Sequence, residues 1–149
     1  MFTPMNSPDP AAIARMRRIL PLAFMASGLL LWGLVEGLAL AAPEQVGFMA
    51  GDSLAPIRYG LMAGAALILM TGLFLHGRAG ARGPAPDDPQ ALARTWPWEI
   101  AAYACADGVV VLGFLLFFIG GARMDFYVLA LPAGLAMLWF YTRRPAREI

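Results

Sequence analysis

The chain has 149 residues, 60% of them hydrophobic and only 14% charged, with a net charge of +1. A soluble domain of this size carries about a quarter charged residues, so the composition points to a membrane protein. The near-zero net charge provides no basic face for nucleic acid. All eleven basic residues are Arg and there is a single cysteine, Cys105, which excludes an internal disulfide.

Spanning a bilayer core takes about 20 mostly apolar residues in a helix. Residues 1–18 read as a tail followed by a short interfacial segment, with residues 1–12 (MFTPMNSPDPAA) disordered. The first apolar span covers residues 19–42 and the second 57–76, giving an expected transmembrane hairpin over residues 19–76. Residues 77–97 read as a Gly/Pro-rich linker with a short helical turn at PQALAR. Spans at 98–120 and 125–142 then make a second hairpin over 98–142, and residues 143–149 form a tail. Each span is apolar all round, which argues for helices in lipid. The expected fold is therefore all-α: a polytopic membrane protein with four transmembrane helices arranged as two hairpins.

Arg counts orient it. Nine of the eleven Arg flank the first span's start, the middle loop and the fourth span's end; only Arg58 and Arg123 fall on the other side. The positive-inside rule predicts both termini in the cytoplasm, and the expected location is a bacterial inner membrane. A second reading treats RMRRIL, the apolar run and ALA around residues 39–41 as a cleavable secretory signal. In that reading Glu36 is discarded and three spans remain.

Two acids, Glu36 and Asp107, lie well inside the spans. At about 1.5 Å rise per residue, Asp107 sits roughly 13 Å in, near the middle of the bilayer. Ser27 and Thr71 fall at a similar level, beside Pro132, Ala133 and Gly134 of the fourth span. Together with Tyr103, one turn before Asp107, they are candidates for a polar layer: an ion or proton site, or an inter-helix hydrogen-bond cluster. Pro132 also leaves a backbone carbonyl that a Ser or Thr hydroxyl can satisfy. Glu36 lies about 9 Å inside the opposite boundary from the Arg-rich side. Arg58 on that side is its expected ion-pair partner, with Arg123 as the substitute.

Helix packing is expected at the GxxxG motifs Gly33–Gly37 and Gly60–Gly64 and at Gly108. In the third span the inner half, AAYACADG, is small and polar and reads as buried, and the bulky outer half, VVVLGFLLFFI, as lipid-facing. The single His76 is placed to cap the second helix's last carbonyls. The nine methionines lack ligand spacing, and the sequence provides no metal quartet, phosphate loop or nucleophile–base constellation. No cofactor, metal or catalytic activity is expected.

From Cys105 to Gly120, an acid followed by a glycine-punctuated apolar helix resembles the carboxylate helix of rotary ATPase proteolipids. That likeness spans one helix and implies proton or cation translocation with Asp107 as the carrier. The chain also resembles small uncharacterised four-helix bacterial membrane proteins with an acid in the third helix and a turn such as GGARMDFY, a likeness that implies no activity. The leading expectation is a non-enzymatic accessory or structural subunit of a membrane assembly, with lipid and a second copy or a larger complex as partners. The alternative is the ion-translocating protein.

Overall fold

A computed structural model describes residues 10–41, 47–49, 53–81 and 89–143. It is all-helical over these segments: α1 (Pro10–Ala41), α2 (Leu54–Ala81), α3 (Pro89–Gly120) and α4 (Arg123–Thr142). Each of the four is long and apolar enough to cross a membrane.

Three helices outrun the apolar spans. α1 starts at Pro10, α2 continues to Ala81, and the PQALAR turn is the first part of α3. The expected tail at residues 1–12 and linker at 77–97 are shorter to that extent; residues 1–9 and 82–88 lie outside the described residues. A helix is held by its backbone hydrogen bonds and does not need apolar side chains to continue. AAIARMRR and QALARTW are good helix formers, and Pro10 and Pro89 occupy first positions, where a missing N–H costs nothing.

The core is a pair, α3 and α4. On α4, Phe126, Leu129, Ala133, Met137 and Phe140 recur at helical spacing and are buried. On α3, Ala102, Tyr103, Ala106, Val109, Val110, Leu116 and Phe117 face them and the flanking helices. The outer half of α3 is therefore outward-facing only on one side: Val111, Leu115 and Phe118 are exposed as expected, whereas Leu116 and Phe117 are fully buried. Bulky residues at helical spacing fill a core as readily as they meet lipid, and apolarity alone does not separate the two.

α3 touches every other helix, and α4 also touches α1 and α2. Among the described residues α1 and α2 do not touch each other. The expected first hairpin is thus open, its two helices flanking the α3–α4 pair. Residues 47–49 of the connection lie over the end of α3: the Gly47 and Met49 N–H groups donate to the Phe118 and Ile119 carbonyls, 3.0 and 3.1 Å away, satisfying carbonyls that the helix leaves open. Gly47 takes a φ of 76°, and a Cβ there would stand 3.1 Å from the Gly121 Cα. Gly121, also at positive φ, donates to the Phe117 carbonyl and ends α3, allowing α4 to start after one further residue.

The packing glycines are not those expected. A Cβ at Gly33, Gly37, Gly60, Gly64 or Gly108 would meet nothing within 4 Å. The close approaches are at Gly72, where a Cβ would lie 3.0 Å from the Cys105 Cβ and 3.2 Å from the Ala102 carbonyl oxygen, and at Gly113, 3.2 Å from the Leu129 Cβ. Gly72 brings α2 against the small residues of α3; Gly113 brings α3 against α4. With α1 and α2 apart, their GxxxG motifs have no helix of this chain to receive.

Candidate functional site

Asp107 is half-buried on α3, and its Oδ1 atom is buried with no hydrogen-bond partner among the described residues. The Ser27 hydroxyl of α1 is its hydrogen-bonding neighbour. Of the expected polar layer, these two residues come together. Tyr103 is buried but serves an aromatic contact, stacked on Phe24 at 6.2 Å and edge-on to Phe140 at 5.6 Å between ring centroids. Thr71 is exposed, and its hydroxyl donates to the Leu67 carbonyl of its own helix at 2.8 Å. Threonine often closes this bond to the preceding turn, so Thr71 neither reaches Asp107 nor satisfies the carbonyl freed by Pro132.

Charged groups gather at the two ends. At the end where α1 and α3 begin, Arg17 Nη2 meets Glu99 Oε1 at 2.6 Å and its Nε meets Oε2 at 3.1 Å. This fork-on-fork geometry is the strong form of an Arg–carboxylate pair, and the side chains are only 4% and 13% exposed. Neither residue stands out in the sequence, because Arg17 belongs to a run of interfacial arginines and Glu99 sits at a span boundary. The usable signal was that the two lie at the same depth on helices entering from the same side.

At the opposite end the expected Glu36–Arg58 pair is not formed. Arg58 instead gives two hydrogen bonds to Asp125 Oδ2, at 2.8 and 3.1 Å. Glu36 accepts from Arg123, 3.3 Å away, and from the Tyr127 hydroxyl. The reason is the separation of α1 and α2: Arg58 and Glu36 share a depth but stand on opposite flanks of α3–α4. The first turn of α4 supplies both partners, an acid toward α2 and a base and a phenol toward α1. Arg123, the substitute expected for Arg58, is the residue that reaches Glu36.

Near the Arg17 end, His76 stacks on Phe140 at 4.4 Å and lies 5.1 Å from Trp139 between ring centroids. Its ring is engaged with α4, and α2 continues past it to Ala81. No group of three or more His, Cys, Asp or Glu able to hold a metal occurs among the described residues. Chemically, the site offers one carboxyl beside one hydroxyl at mid-depth, and charged clamps above and below it.

No protein-family model, curated protein or solved structure matches the chain.

Proposed function

We propose that the chain is a non-enzymatic integral membrane protein, a structural or accessory subunit of a larger membrane assembly. Its Arg distribution supports a bacterial inner membrane with both termini in the cytoplasm. One observation carries the reading: the GxxxG residues of α1 and α2 meet nothing within the chain. Small-residue faces let transmembrane backbones approach closely, and here the helices that would approach belong to other molecules. The charged groups fit the same reading, since each ion pair ties one helix of the chain to another.

The test is native extraction of the full chain from its own membrane, with the mass measured and every co-purifying chain identified. The expected result is a defined assembly larger than one chain, reduced to single chains by Gly33→Leu with Gly60→Leu while helicity is unchanged. A single chain in native extracts would contradict the reading.

A second reading, proton or cation translocation through Asp107, is favoured by the buried carboxyl oxygen without a partner. It expects Asp107→Asn to abolish flux without loss of fold, and a hydrophobic carbodiimide to label Asp107 in competition with protons. Under the structural reading Asn, which still hydrogen-bonds, leaves behaviour unchanged and Asp107→Leu destabilises.

A further inference from the structure

The end of the bundle where α1 and α3 begin, toward which α2 and α4 run from the Arg58–Asp125 pair, carries an excess of positive charge. Nine arginines belong to it by sequence, against Asp9, Asp87, Asp88, Glu99 and Glu148. An excess of four remains after every acid of that side is counted, those outside the described residues included. The other side has Arg58 and Arg123 against Glu36, Glu44, Asp52 and Asp125, an excess of two negative charges.

Two of the nine arginines are held on the outward surface by aromatic rings. The guanidinium carbon of Arg78 lies over the Phe74 ring, 5.8 Å from its centroid, and that of Arg143 over the Trp139 ring at 5.6 Å. Phe74 and Trp139 are 62% and 41% exposed. On a bundle that crosses a membrane these rings face lipid, and the arginines above them stand where hydrocarbon gives way to headgroups. The levels agree. His76 meets Phe140, and at about 1.5 Å per residue Arg78 and Arg143 lie about 3 and 4.5 Å further out. Trp139 and Tyr141 are of the type that favours that boundary. A ring covers one face of a guanidinium and leaves its edge N–H donors, which match phosphate oxygens two at a time. Neither arginine is engaged by an acid among the described residues, where the ion pairs use Arg17, Arg58 and Arg123.

We infer that Arg78 and Arg143 each hold the phosphate of an anionic phospholipid in the leaflet on the Arg-rich side. Arg15 and Arg94, exposed at the same end, add attraction at longer range. The excess positive charge favours a headgroup of net negative charge over a zwitterionic one, whose ammonium it repels. This inference rests on the proposal that the protein spans a membrane.

The experiment uses the full chain in a nonionic detergent, supplied with phosphatidylglycerol and phosphatidylcholine of the same acyl chains in equal amounts. Native mass spectrometry counts the lipids retained. The native chain is expected to retain phosphatidylglycerol several-fold over phosphatidylcholine. One arginine near an anionic headgroup is worth a factor of about five, so Arg78→Gln with Arg143→Gln is expected to abolish the preference. Arg15→Gln with Arg94→Gln removes the same charge from the same end and is expected to lower the preference several-fold less. All four side chains are exposed, so both variants keep the fold. Equal retention of the two lipids by the native chain, or equal losses in the two variants, would overturn the inference. Glycerol phosphate in solution is expected to leave the bound lipid in place; displacement by it would make these sites receptors for a soluble phosphate and overturn the lipid assignment. Alkaline carbonate extraction of the native membrane separates the two failures. Release of the protein rejects the membrane reading itself, whereas retention without headgroup preference rejects the lipid sites alone.

Discussion

α3 and α4 bury whole side chains in the core; α1 and α2 pack along them with most of their apolar surface turned outward. Between α3 and α4, whole aromatic and aliphatic side chains such as Phe117, Phe126 and Met137 are out of solvent, and glycine brings the backbones close at Gly113. α1 contributes Val35 to that core and α2 contributes Ala65, with most of both helices' apolar surface facing outward. Partly buried side chains such as Phe24 and Leu38 of α1 and Leu69 and Leu73 of α2 pack against the core, and charged pairs are added at the ends: Arg17 on Glu99 and Arg123 on Glu36 for α1, Arg58 on Asp125 for α2, whose backbone also comes close to α3 at Gly72. The difference is instructive. In a membrane, apolar surface by itself does not drive helices together, because lipid is as apolar as leucine. Position is then set by close packing where the residues allow it and by charged pairs where they do not.

The sharpest way to break this arrangement is at Arg17. Arg17→Ala leaves Glu99 buried without its cation and is expected to cost about 3–5 kcal/mol, read as lost resistance to thermal unfolding in detergent. Joint removal with Glu99→Ala is expected to cost less than the sum of the two. At the other end, Arg58→Ala is expected to cost about 1.5–3 kcal/mol through its two charged hydrogen bonds to Asp125. A double-mutant cycle should find coupling between Arg58 and Asp125 and none between Arg58 and Glu36.

The core and the flanks are separated by their glycines. Gly113→Ala drives a methyl to within 3.2 Å of the Leu129 Cβ and is expected to cost about 1–3 kcal/mol by overpacking. Gly33→Ala meets no atom of the chain and is expected to stabilise the isolated protein by about 0.5–1 kcal/mol, the helix preference of Ala over Gly. Parallel unfolding curves of the two variants check the pair. The smallest effect is expected at Glu36→Gln, about 0–1 kcal/mol, since both partners of that pair are a third or more exposed and Gln still accepts from Tyr127.

The number of helices and their apolar runs were legible in the sequence because each run is long enough to be recognised by itself, although α1, α2 and α3 continue past theirs. Which helix touches which was not. A run that is apolar on every side has no inward stripe to read, so the α3 segment VVVLGFLLFFI looked like lipid surface although Leu116 and Phe117 are core. Depth was also legible: Glu36, Arg58, Arg123 and Asp125 do fall at one end. Matching depths, however, left both Arg58 and Arg123 open as partners of Glu36, and the choice between them depends on the order of helices around the bundle. Helices that are apolar all round carry no side-chain pattern from which that order could be read. The mid-depth acid shows the same limit. Asp107 and Ser27 share a level and a face, whereas Thr71 shares only the level.

The separation of α1 from α2, on which the bare glycine faces depend, is measured most directly by cross-linking Gly33→Cys with Gly60→Cys in a Cys105→Ala background. The two positions lie at similar depth, and a disulfide needs Cα atoms within about 7 Å. The account predicts no intrachain bond on oxidation in the native membrane, by mass and by gel mobility. An intrachain disulfide formed in high yield would put α1 against α2 and contradict it.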